Sequence, residues 1–281
     1  MLELRHQYPV AALLKLAGLA RSTFYYQQKV CESVDKYQQI KDSIREVFDR
    51  HKGRYGYRRI TATLVQMGKR VNHKTVQRLM SQLGLKSLVR LKKYRSYKGG
   101  VGTAAPNILA RQFDAQQINQ KWVTDVTEFN VAGEKLYLSP VLDLYNGEIV
   151  AFETSRRPIF EMVSSMLKQA MTRLAPQDKP IIHSDQGWQY KMPTFKKMLK
   201  QQQITQSMSR KGNCLDNAAM ESFFGTLKSE YFYLNKFSSY EELETGLKEY
   251  IHYYNNDRIK LKLKGLSPVQ YRNQSISTLA T

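Results

Sequence analysis

The hydrophobic pattern of this chain changes period once, and that change limits the folds open to it. Up to about residue 90, apolar residues recur every three or four positions, the spacing of helices that bury one face. Residues 91–108 lose the pattern and hold Gly99, Gly100, Gly102 and Pro106, as a linker does. From Lys121 onward, alternating apolar residues mark strands, and helical segments come between them. A chain of 281 residues built this way divides into an all-α front and an α/β body. The expected units are residues 1–35, 36–98, a linker over 99–115, a core over 116–235 and a C-terminal helix with a basic tail over 236–281.

The front reads as two helix-turn-helix units. In AALLKLAGLARSTFYYQQK, Gly18 ends a first helix, and Ser22 or Thr23 caps a second that offers Arg21, Ser22, Thr23 and Tyr25 near its start. Residues 36–50 are amphipathic through Ile40, Ile44, Val47 and Phe48. Ile60, Leu64 and Met67 then form a helical stripe that Gly68 breaks. Asn72 caps a further helix with Val76, Leu79, Met80 and Leu83 inward, and Gly84 ends it. That helix would turn His73, Lys74, Thr75, Gln77 and Arg78 outward. Arg54, Tyr55, Arg58 and Arg59 precede the stripe, and arginines among tyrosines suit phosphate and sugar contact.

Charge is distributed accordingly. Lys and Arg total 44 against 24 Asp and Glu, a net of +20, and from Arg50 to Lys98 there are 15 Lys/Arg and no acid. A merely solvated surface mixes its signs, so the front is expected to bind double-stranded DNA. Cys31 and Cys214 make no disulfide framework, and His6, His51, His73, His183 and His252 have no zinc spacing with them. No apolar run reaches the ~20 residues of a membrane span, and the default compartment is the cytoplasm, at the nucleoid.

In the body, WVTDVTEF alternates as a strand, and KLYLSPVLDLYNGEIVAFETS reads as two strands joined at Asn146-Gly147. A helix over Phe160–Leu174, a strand ending at Asp185, a helix over Met192–Gln203 and a strand over Ile204–Ser207 follow. A polar loop over 208–217 leads to helices over Ala218–Tyr231 and Tyr240–Asn255. The order implies a mixed five-stranded sheet flanked by helices. Three acids stand at places where a carboxylate needs a reason: Asp125 inside an apolar strand, Asp185 just past a buried one, and Glu221 near a helix start. Each has a plain reading: a hydrogen-bonded strand acid, a turn former or a favourable charge at a helix N-terminus. Together they match the needs of phosphodiester chemistry, where two divalent ions about 4 Å apart are held by a few carboxylates from separate elements. Asp143, Asp216 and Glu128 rank below them, and Lys211, Asn213 and Asn217 on the polar loop are candidates for DNA contact.

WVTDVTEF, HSDQGWQY and SRKGNCLDNAAMESFFGTLKSE resemble the catalytic blocks of the insertion sequence three family of bacterial transposases, above all the subgroup of insertion sequence one hundred and fifty. The RYGYRRI block and the tail YYNNDRIKLKLKGLSPVQYR are similar too, so the likeness spans about residues 10 to 273. Thirty-five residues separate Asp185 from Glu221, as in that family, and Lys228 stands seven after Glu221, where related enzymes carry a basic residue that contacts DNA. The resemblance implies a ribonuclease-H-like integrase core and a DDE triad of Asp125, Asp185 and Glu221 using two Mg²⁺ (or Mn²⁺) ions. It implies binding to the terminal inverted repeats, cleavage at the element's ends, and attack by the freed 3′-hydroxyl on target DNA. It also implies at least a dimer on DNA. Such proteins are usually made as a fusion with an upstream-frame product, and this chain reads as the downstream frame alone or as a trimmed product. The alternatives are a DNA-binding regulator with an inactive core, and a nuclease that cleaves without joining. The tail RIKLKLKGLSPVQYR reads equally as a DNA or protomer contact and as a segment packed on the core.

Overall fold

The computed structural model describes residues 3–32, 35–89, 105–131, 133–210 and 214–279. After a 3-10 turn at Leu4–His6, the described residues form five α-helices: α1 (Val10–Leu16), α2 (Arg21–Glu32), α3 (Gln38–Arg50), α4 (Tyr57–Gln66) and α5 (His73–Gln82). Three of them end alike. Gly18, Gly68 and Gly84 have φ of 64°, 79° and 70°, and the next residue's N–H reaches back to a carbonyl five positions earlier (Leu19 to Leu14, Lys69 to Leu64, Leu85 to Met80). This left-handed cap is the one glycine permits without strain. Asn72 caps α5 as expected, its side chain accepting from Lys74 N at 2.8 Å. Helix α2 starts at Arg21, so Ser22 and Thr23 lie within its first turn rather than capping it.

The body follows as β1 (Lys121–Thr124), β2 (Thr127–Val131), β3 (Glu134–Asp143), β4 (Ile149–Ser155), α6 (Phe160–Met171), β5 (Ile181–Ser184), α7 (Trp188–Lys191), α8 (Pro193–Gln201), β6 (Thr205–Met208), α9 (Ala218–Glu230), α10 (Tyr240–Asn256) and α11 (Pro268–Leu279). Among the described residues the sheet has six strands, not the expected five, because WVTDVTEF is split. Both pieces pair with β3 in one antiparallel register, Thr124↔Val141 and Thr127↔Leu138, so Asp125 falls opposite Pro140. Proline has no N–H to donate to a ladder. The ladder to β4 continues through Pro140↔Phe152, and the one to the first strand breaks. Strands β3 and β4 are joined through residues 144–148, with Gly147 at φ 70° and its N–H donated to Asp143 O.

Strand β5 runs parallel to β1 and to β6. Alternation sends Trp122 and Val123 to opposite faces. Val123 packs with α9 and α10 through Met220, Phe223, Phe224, Leu247 and Tyr250. Trp122 packs with α6 and α8 through Met166, Leu167, Phe195 and Leu199. The third cluster joins α3, α4 and α5 through Ile44, Val47, Ile60, Leu64, Val76 and Leu79, and takes in Ile259 from the far end of the chain. The packed structure continues past α10. Residues 257–267 turn back onto the front helices, and α11 packs on the body. No described helix is long and apolar enough to cross a membrane.

Candidate active site

The register of β1 on β5 (Lys121↔Ile181, Val123↔His183) brings Asp125 and Asp185 out at the same level of adjacent parallel strands. Neighbouring strands lie about 4.8 Å apart. Both acids sit just past their strand's last residue, the carboxyl-end position where open α/β sheets bind ligands. Glu221 lies in the first turn of α9, which packs along β1. Asn217, the residue before α9, ties the two together, its Nδ2 donating to Thr124 O at 3.2 Å. Among the described residues its Oδ1 is buried without a hydrogen-bond partner.

The acids are locally braced. Asp125 Oδ1 accepts from Val126 N at 2.7 Å, and Asp185 Oδ1 accepts from Gly187 N at 2.8 Å. A Cβ on residue 187 would stand 2.9 Å from that same Asp185 oxygen, which accounts for the glycine. Tyr190 lies buried behind them, its hydroxyl 3.5 Å from Thr124 Oγ1. Burial, and then the charges of Asp185 and Glu221, raise the Asp125 carboxyl well above the usual range, against the Val126 N–H and Lys228. Burial likewise raises Asp185, against the Gly187 N–H and Lys191. Glu221 stands at the edge, raised by burial alone. Lys228, two turns on from Glu221 and so on the same side of α9, has its ammonium 5.2 Å from the Phe129 ring centre. Burial lowers it, and Glu128 and Asp125 oppose this.

At the two aspartates burial, joined at Asp125 by the neighbouring carboxylates, outweighs the opposing Lys228 and Lys191 charges, so the hard oxygen donors here favour a further cation. Among the described residues no group of three His, Cys, Asp or Glu side chains closes to metal-ligating spacing. Mg²⁺ does not require such a cage. It is held by one or two carboxylates with water and substrate phosphates completing the shell, so the donor set fits a hard divalent ion.

The lower-ranked acids have other partners. Asp216 is fully buried and accepts from Arg210, Arg111 and Asn107, and the two arginines hold it far below the usual carboxylate range despite burial. Asp143 accepts from the Asn119 and Tyr145 N–H groups, and burial pushes it up to about 6. Glu128 is exposed and pairs with Lys135. Sequence reasoning had no signal for Tyr190, or for the role of Asp216 in joining residues 107–111 to the start of α9.

Of the residues expected to face DNA, Arg21, Ser22, Thr23 and Tyr25 are exposed on α2, and His73, Lys74, Gln77 and Arg78 are exposed on α5, with Thr75 half-buried. Arg58 is exposed beside Tyr57. Three others must be corrected. Tyr55 is completely buried, donating to Asp257 O and accepting from Ile259 N. Arg54 is buried, donating to Glu230 O, and Arg59 pairs with the Glu230 carboxylate. All three face the protein interior, because a buried acid at the end of α9 draws the arginines inward. Lys211 and Asn213 lie outside the described residues. The basic tail packs on the core: Arg258 pairs with Glu230, and Lys260 donates to Gly147 O and Tyr254 Oη.

Comparison with known proteins agrees with this layout. Residues 115–214 and 221–276 each match a family described as integrase core domain, and residues 36–93 match an HTH-like domain. The putative transposase InsK for insertion sequence element IS150 of Escherichia coli is 56% identical over 97% of this chain and 96% of its own length. Transposase InsF for insertion sequence IS3A of the same organism is 31% identical over 97% and 98%. The HTLV-2 integrase catalytic core domain in complex with magnesium is similar at 19% identity and a TM-score of 0.43, over 55% of this chain and 96% of that one, a likeness too distant to carry an argument. On the strength of its transposase relatives and its integrase core, the chain belongs to the IS150-like transposases of the IS3 family, DDE-type polynucleotidyl transferases with an HTH-like domain ahead of the core.

Proposed function

We propose that this transposase binds the terminal inverted repeats of its element, cleaves at the 3′ ends and joins them to target DNA, with Asp125, Asp185 and Glu221 as the catalytic acids. What supports this reading is that Asp125 and Asp185 leave adjacent parallel strands at one level, with Glu221 near enough to raise the Asp125 carboxyl, in a strongly basic protein where such charge opposes a polyanionic ligand unless a cation lies between. Two Mg²⁺ (or Mn²⁺) ions, when bound by these acids, would supply a more acidic attacking water or hydroxyl and stabilise the leaving oxygen. The protein's own part is positional. Val126 N and Gly187 N orient the two aspartates, and Asn217 fixes the start of α9 against β1. Lys228, on the Glu221 side of α9, is suited to a DNA phosphate.

End recognition falls to α2 and α5, through Arg21, Ser22, Thr23 and Tyr25 on one and His73, Lys74, Thr75, Gln77 and Arg78 on the other, with Arg58 beside them. Lys211 and Asn213 belong to the same DNA-contacting set. Two ends must be processed together, so the active form is at least a dimer on DNA, and fusion to an upstream-frame product completes it. The test is strand transfer on labelled DNA carrying the element's own ends with Mg²⁺. Activity in the wild type, and its loss in Glu221→Gln with DNA binding retained, is expected. Equal activity in both removes Glu221 from the site.

A further inference from the structure

The second helix-turn-helix unit is joined to the catalytic helix by a buried polar contact. Glu230, the last residue of α9, is 3% exposed and is met from three directions. Arg258 takes both its oxygens at 2.7 Å, Arg59 from α4 donates to Oε1 at 3.2 Å, and Tyr250 Oη donates to Oε2 at 3.0 Å. Arg54 donates to the Glu230 carbonyl at 3.1 Å, its guanidinium 4.7 Å from the Tyr253 ring centre. The contact is wider than one acid. Ile259 enters the core of α3–α5, Tyr55 Oη donates to Asp257 O and accepts from Ile259 N, Gln66 donates to Gly265 O at 2.7 Å, and His51 Nδ1 lies 3.1 Å from Tyr253 Oη. A continuous path of packed elements therefore runs from α5 through α4 to Glu230, and along α9 to Glu221. Buried charge networks of this kind have discrete rather than graded geometry.

We propose that this contact sets the spacing between the base pairs read by α5 and the phosphate that is cut, with Arg59, Arg54, Arg258 and Glu230 as positioning residues. The spacing is thus determined by a rigid interface and not by the length of chain between the two units. The inference rests on the cleavage reading above. It implies that loosening the interface spreads the position of the cut without weakening attachment to the repeat.

Two measurements on the full chain test it. In the first, nitroxide labels are attached at Ser81→Cys on α5 and Lys168→Cys on α6, both exposed positions, in a Cys31→Ser, Cys214→Ser background. Spin-echo distance measurement without DNA is expected to give one narrow distribution, broadened in Arg59→Ala and Glu230→Gln and narrowed again in Arg59→Lys. A broad distribution in the parent overturns the proposal whether or not the protein cuts DNA. In the second, an end-labelled duplex bearing the element's terminal repeat and its flank is cut in Mn²⁺ and read at single-nucleotide resolution. Arg59→Ala is expected to raise the fraction of cuts at neighbouring phosphates about tenfold, with affinity for the repeat within about twofold of the parent. A lower yield at an unmoved position is what a purely structural role gives, and it overturns the proposal. A parent protein that binds but never cuts defeats the cleavage reading, and the distance measurement then decides the interface by itself.

Discussion

Helix α9 carries two glutamates nine residues apart, and they live in opposite surroundings. At about 100° per residue, nine residues turn the helix through two and a half revolutions, so Glu221 and Glu230 face opposite sides. Glu221 is partly exposed and close enough to Asp125 to raise it, and burial raises its own affinity for a proton. Glu230 is more deeply buried, yet its carboxyl is held below its usual range, because Arg258 and Arg59 hydrogen-bond to it and outweigh desolvation. Burial alone therefore does not mark a working acid. What separates the two is whether the protein itself supplies the countercharge. Where it does, the carboxylate binds elements together. Where it does not, the carboxylate is left for a cation from outside.

The largest expected effect breaks the comparison on the Glu221 side. Glu221→Gln and Asp125→Asn should each lower strand transfer by at least about 10³-fold, ~4 kcal/mol in barrier. Stability should move the other way. Asp125 has a folded-state pKa raised well above its unfolded value. Its stabilising contribution is therefore present below the unfolded pKa and is lost as pH rises, so ionised Asp125 costs stability at neutral pH. Asp125→Asn is expected to melt higher than the parent at pH 7 in EDTA. A lower melting temperature there would mean that Asp125, like Glu230, holds the fold together.

Next in size is Glu230→Ala, which leaves Arg258 buried and unpaired. Breaking such a pair costs about 3–5 kcal/mol, and urea denaturation should show it. Replacing Glu230 and Arg258 together by methionine should cost less than the single change, since no buried charge is then stranded. If the double variant is the weaker, the pair contributes more than charge balance.

A pH effect sharpens the same contrast at the interface. His51 stacks on Tyr55 with ring centres 3.7 Å apart, and burial beside Arg50 and Arg54 lowers it to about 4. The unfolded chain takes up a proton near pH 6.5 and the folded one only near 4, so stability falls as pH drops through that window. His51→Phe keeps the stacking and removes this proton, and the loss of stability between about pH 6.5 and 4 should become shallower. His183, held between the Ser207 and Ser209 hydroxyls and also lowered to about 4, leaves a remaining slope of the same sign. An unchanged slope in His51→Phe would mean that His51 does not titrate in this range.

The smallest effect separates outward from inward cations. Lys74→Ala or Arg78→Ala should leave the melting temperature unchanged and flatten the salt dependence of DNA binding by about 0.9 for each phosphate no longer neutralised. Arg59→Ala should do the reverse, lowering stability and leaving the salt slope alone. A changed slope in Arg59→Ala would return that residue to the DNA-facing set.

The carboxyl cluster is legible in the sequence because its parts are local: Asp125 in an alternating segment, Asp185 at the end of an apolar run, Glu221 at a helix start. The glycine-ended helices and the Asn72 cap are legible for the same reason, since each cap is settled within about six residues. The break in the first strand is not, because it depends on Pro140 in another strand facing Asp125. RYGYRRI misleads: a run of arginines and tyrosines has the same composition whether it meets phosphate or a buried glutamate. Glu230 itself, in LKSE, looks like any exposed helical acid.

What this sequence determined by itself is therefore what short-range chemistry decides: element type, helix ends, the charge of the front half, and which acids lack an obvious local partner. The tertiary structure decided which charges meet. Residues 54–59, 230 and 258 are far apart in the chain, and the sign of an electrostatic contribution depends on distance and burial, neither of which periodicity contains.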